Sequence, residues 1–272
     1  MFIACRTQSR KQAAKVDEAM GEASGRTKVS GLVVRQELKR RLLRDASYLY
    51  DQLVMKEGFE ETQHYLNRLR QHPFHGNKAG ICLALMANIT GSDDDDKTDR
   101  LKTKLRTLIM TCLSNFDSWL DQMERGSGCR CAVIDPVERK RSGRVTFELG
   151  ENKCGDDSLC QVNLFLVMMS GPMDAIRAHL ASAAETPSRK QLQAILSFLQ
   201  AASDPGFNAT DLNPCLTVGD LVIALESVAA DCDEMYTMNH RDSRALCAAL
   251  GQNLRILSHD PAVPDLVVPR PA

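Results

Sequence analysis

Between Leu32 and about Arg70, apolar residues return every three or four positions, the spacing of an amphipathic helix. Leu38, Leu42, Ala46, Leu49 and Leu53 fall on one stripe, and Tyr50, Val54 and Tyr65 widen it. His72-Pro73-Phe74-His75-Gly76-Asn77 interrupts the pattern, because Pro and Gly punctuate helices. Asn77 to Asn88 then reads as a short buried helix. Ser92 leads into Asp93, Asp94, Asp95 and Asp96, acids that suit a helix N-terminus. The helix they open runs from about Lys97 to Met123, with Leu101, Leu105, Ile109, Phe116 and Leu120 among its apolar positions.

Gly126-Ser127-Gly128 ends this helical region, and the pattern changes. Cys131-Ala132-Val133-Ile134 predicts a short buried strand ending at Asp135, and Val145 to Leu149 a second. Ser158–Met169, Met173–Ala184 and Ser188–Ala202 predict helices. Gly219-Asp220 opens a helix that buries Ile223, Ala224 and Leu225. A strand from Met235 to Thr237 follows, ending at Asn239 and Asp242 where another helix begins. Leu254 to Leu257 predicts a closing strand. Strands alternating with helices indicate an α/β arrangement. The expected organisation is a mobile leader over 1–29, poor in large apolar groups, a helical domain over 30–127, and an α/β domain over 128–272.

Composition narrows the function classes. The 272 residues are 43% hydrophobic and 25% charged, with a net charge of −1, in the ordinary globular range. A globally basic nucleic-acid binder is excluded, although a local basic face is not. Aromatics are 5% with one Trp, too few for a broad base-stacking platform. No apolar run is long enough to span a membrane, and none near Met1 suits a signal-peptide core. The expected location is therefore the cytoplasm, where the ten cysteines are thiols or metal ligands rather than disulfides.

Candidate chemistry concentrates late in the chain. In an open α/β sheet, ligands collect outside the carboxyl ends of the strands, so Asp220 and Asp242 could share one rim. Earlier features have plainer readings. Arg35, Lys39, Arg40, Arg41 and Arg44 could form a phosphate-contacting helix face, but Glu37, Asp45 and Asp51 balance them and favour a solvated face. His72 and His75 fit surface histidines better than a metal pair, and the aspartate run fits a solvated loop better than a cation site.

Gly219-Asp220, Ile223-Ala224, Thr237-Met238-Asn239 and Asp242, in this order and spacing, resemble the C-terminal half of PIN-domain ribonucleases, bacterial stand-alone proteins among them. The resemblance is good over about forty residues and looser from 128 to the end. It implies a three-layer PIN-like fold with a central, mostly parallel sheet, preceded by the helical N-terminal region. It implies Mg²⁺- or Mn²⁺-dependent hydrolysis of RNA phosphodiesters, in a toxin-like or RNA-processing role. Asp220 and Asp242 would then be metal ligands, with Asn239 and Thr237 orienting a ligand or the attacking water. Arg241 and Arg244 would contact substrate phosphate. Asp135 would be the first acid, although the family usually has Thr or Ser where Pro136 stands. Asp157 is the expected further acid, with Asp156 and Glu185 as alternatives. The competing expectation is a degenerate PIN-like module that binds RNA or a protein without cutting, its helical domain docking the partner. Cys129, Cys131, Cys154 and Cys160 could form a structural Zn²⁺ site, against buried reduced thiols as the simpler reading.

Overall fold

The structure, a computed structural model, describes residues 14, 17–19, 21–38, 43–73, 75–128, 137–141, 144–148, 161–183, 189–204, 206–207, 217–237, 239–257 and 264–268. Their architecture is mixed α/β and mostly helical, with short strands. None of the described helices is long and apolar enough to cross a membrane.

Strand β1 (Val29–Gly31) leads directly into helix α1 (Leu32–Leu38). Four helices follow: α2 (Arg44–Met55), α3 (Phe59–Arg70), α4 (Gly76–Met86) and α5 (Asp94–Ser118). Strand β2 (Gln122–Glu124) then returns and pairs in parallel with β1, Val29 opposite Gln122 and Gly31 opposite Glu124. Parallel neighbours require a long crossover, and here that crossover is the helical segment itself.

The helical segment has its own core. Leu43, Ala46, Leu49 and Leu53 meet Leu66, Leu101, Leu105 and Ile109, all buried. The predicted stripe of α2 is thus its buried face. The long periodic stretch is broken after Met55, however: Glu57 turns to φ 62° and Gly58 precedes α3. An antiparallel hairpin, β3 (Val137–Arg141) with β4 (Arg144–Glu148), packs on this core through Phe147. The Phe147 ring lies edge-on to Tyr50 with centroids 4.9 Å apart.

The second core is built by α6 (Val162–Met168), α7 (Ser170–Ser182), α8 (Lys190–Ala201), α9 (Gly219–Ala229) and α10 (His240–Leu250). Phe165, Ile176, Ile195, Leu221, Leu225 and Leu246 meet at its centre, and Val33 of α1 joins them. Between α9 and α10 runs β5 (Glu234–Thr237), which pairs in parallel with β6 (Asn253–Ile256) across α10. Gly251, at φ 68°, ends α10 in the left-handed turn that glycine adopts at no steric cost. Among the described residues the strands form three two-stranded ladders, rather than the single central sheet expected.

The polar segment before β1 also makes defined contacts. Ala19 and Ala23 are buried, Arg26 pairs with Glu234, and Glu22 pairs with Arg255. The predicted strand over 131–134 lies outside the described residues.

Candidate functional site

Asp220 and Asp242 come from different helices, yet one side chain joins them. Asp220 stands in the first turn of α9 and Asp242 in the first turn of α10. Asn239, immediately before α10, donates from Nδ2 to Asp220 Oδ2 and to Asp242 Oδ2, each at 3.2 Å. The two carboxylate oxygens therefore lie within twice that distance of each other. Each acid also sits where exposed helix N–H groups carry partial positive charge, which moderates their mutual repulsion. Both are half-buried and Asn239 is exposed, so the group opens to water.

The strand beneath fixes this geometry. Thr237, the last residue of β5, is buried; its Oγ1 accepts from the Asn239 backbone N–H at 3.0 Å. The same hydroxyl lies 3.3 Å from Ser243 Oγ of α10. Its backbone carbonyl accepts from the Leu257 N–H at 2.8 Å, tying the strand end to its neighbour. Thr237 thus shapes the turn that presents Asn239 and faces away from the open side.

Two residues that sequence reasoning missed sit beside the acids. Arg189, just before α8, donates from Nη1 to the Arg241 carbonyl at 2.5 Å. Gln191 donates to the Thr217 carbonyl at 3.3 Å, next to the start of α9. The sequence signal for Arg189 is a basic residue opening a helix, and Gln191 has none; both contacts are set by tertiary packing. Arg241 is exposed beside Asp242. Arg244, by contrast, donates to the Pro264 carbonyl at 2.9 Å, on the side of α10 that meets the C-terminal segment.

Other candidates resolve differently. Asp135, Asp157, Asp156 and Glu185 lie outside the described residues, as do Cys129, Cys131, Cys154 and Cys160. Among the described residues, no group of three or more His, Cys, Asp or Glu side chains is placed to hold a metal ion. Cys82 and Cys247 are buried reduced thiols, each pushed by burial up to about 12, which makes them poor ligands and nucleophiles. The His72 and His75 rings lie 4.8 Å apart, both exposed.

The aspartate run does structural work. Asp93 caps α5, accepting from the Asp96 N–H at 2.9 Å. Asp94 reaches across to α3, accepting from the Phe59 and Glu60 N–H groups. Asp96 bonds Arg100 and Ser92, and the Arg100 hydrogen bond holds its carboxyl below the usual range.

No protein-family model, curated protein or solved structure matches the chain.

Proposed function

We propose that the chain is a metal-dependent ribonuclease of PIN-like type, with Asp220 and Asp242 as its cation-binding pair. The observation that carries the reading is the convergence of these two carboxylates on Asn239 from separate helices. Carboxylate oxygens with a neighbouring amide are the hard oxygen donors that Mg²⁺ and Mn²⁺ take, usually with several waters retained. The half-buried, water-facing position of the acids suits such a partly hydrated ion. When bound, the cation supplies a Lewis-acidic centre that neutralises phosphate charge and makes water more acidic.

The chain's own residues divide the remaining tasks. Asp220 and Asp242 hold the cation and orient water. Asn239 separates the two acids in the free protein, and a rotation about its last side-chain bond exchanges its amide donor for its carbonyl acceptor. Thr237 fixes the turn from below. Arg241 is the phosphate contact, and Arg189 fixes its backbone. This reading calls for Asp135 and Asp157 as its further acids and for the three-layer PIN-like fold. A toxin-like or RNA-processing role follows from hydrolysis of RNA, with the cytoplasm as the compartment.

The competing reading is a PIN-like module that binds RNA or a protein without cutting. It draws on the two-acid count among the described residues. Cleavage of a mixed RNA pool with and without Mn²⁺ separates the two. Wild type cuts only with metal, and Asp220→Asn reduces cutting by at least about 10²-fold, the loss expected when a charge-stabilising group is removed. Metal-independent cutting, or equal rates for the variant, rejects the nuclease reading. RNA retention without cutting supports the binding module.

A further inference from the structure

Glu226 lies in the middle of α9 and is 2% exposed. Its Oε1 accepts from Ser127 Oγ at 2.5 Å, in the loop that follows β2. The backbone N–H groups of Val33 and Leu32, at the start of α1, face the same carboxylate. Its Oε2 nevertheless has no hydrogen bond of normal geometry. At the end of β1, Gly31 packs so tightly on this group that a Cβ there would overlap the carboxylate. Among the described residues, the charged group facing Glu226 is Glu124 of β2, whose Oε1 is turned to the Gly126 N–H at 2.5 Å. Arg35 of α1 is engaged elsewhere, in a two-bonded ion pair with Asp117. A buried carboxylate with a like charge nearby, and no cation against it among the described residues, is costly when ionised.

One side chain therefore touches two backbone segments that lie far apart in sequence. The first is the β1–α1 junction, and the second is the loop after β2. We propose that Glu226 is a pH-dependent clamp holding these two segments to α9, closed when its carboxyl is protonated and loosened when it ionises.

The direction follows from which influence is larger. Burial outweighs the hydrogen bonds from Ser127 and the α1 N–H groups, so the carboxyl is pushed up to about 7. A group whose native value exceeds its unfolded value stabilises the fold below the unfolded value and loses that contribution as pH rises through the native one. The window runs from the ordinary Glu value of about 4.3 to about 7.

The test measures thermal unfolding and amide exchange of the full chain from pH 5 to pH 9, with exchange corrected for its intrinsic pH dependence. Wild type should lose several degrees of Tm as pH rises from 5 to about 7 and little beyond it, and exchange at 31–33 and 125–128 should quicken as pH passes about 7. Glu226→Gln keeps the shape without the titration and should flatten both changes. Ser127→Ala removes a donor that favours the charged form and should move the wild-type transition to higher pH. Equal pH slopes for wild type and Glu226→Gln overturn the proposal. So does an unchanged transition in Ser127→Ala, which decides the matter if Glu226→Gln does not fold.

Discussion

Asn239 spends both hydrogens of one amide on two carboxylates, so the energetic state of the free site rests on a single side chain. Two unit charges about 6 Å apart repel by about 3 kcal/mol at an effective dielectric of 20; solvent at half-exposed groups reduces this to about 1 kcal/mol or less. Asp242→Asn should therefore leave Tm within about 2–4 °C of wild type. On the proposed reading, in which the native pair holds the ion, millimolar Mn²⁺ should raise the wild-type Tm and leave that of Asp242→Asn unchanged. Differential scanning fluorimetry with and without Mn²⁺ checks both statements, and a metal response retained in the variant would place the ion elsewhere. The thiols allow a separate residue-level test. Cys82 and Cys247 are buried with their thiols raised to about 12. Iodoacetamide at pH 8 should leave both unmodified in the native protein and label both after denaturation, as peptide mass spectrometry would show.

At the scale of elements, the most legible stretch was the last third of the chain. The helix opening at Gly219-Asp220, the strand ending at Thr237, the helix after Asn239 and the strand from Leu254 all form close to their expected bounds. There, period, caps and glycine agree, which is when local signals decide structure. The Asp220–Asn239–Asp242 convergence was legible in residue choice but not in geometry, since it depends on how α9 packs beside α10. The β1–β2 ladder was not legible at all. Val29-Ser30-Gly31 and Gln122-Met123-Glu124 are too short and too polar to alternate convincingly, and they pair only because the intervening helices return the chain. The aspartate run was read correctly as a helix start, but its second task was hidden. Asp94 caps α3 across space, with Glu60 N at 2.7 Å, so Asp94→Ala should cost about 0.5–2 kcal/mol. Asp93→Ala should cost a similar amount at α5, where it accepts from Asp96 N. Urea denaturation of each single variant would show a separate loss, while the pair, adjacent at one helix start, should depart from additivity.

Among the described residues, two large apolar cores stand out, beside a small cluster of Cys247, Leu254 and Ile256. One lies among α2 to α5 with Phe147, the other among α6 to α10 with Val33. The candidate acids belong wholly to the second. The first can therefore be weakened without moving them, provided the connections between the cores absorb the change. Leu66 and Ile195 are both fully buried, one in each core. Truncation to Ala removes comparable apolar volume at each and should cost about 2–5 kcal/mol. The consequences should differ in kind. Leu66→Ala should speed amide exchange across 44–118 while the Mn²⁺-induced Tm increment persists. Ile195→Ala loosens the core that α8 shares with α9 and α10 and should shrink that increment. If Leu66→Ala abolishes the metal response as completely as Ile195→Ala, the two cores unfold as one cooperative unit. The helical segment would then be part of what holds Asp220 and Asp242 together, rather than an insertion carried beside them.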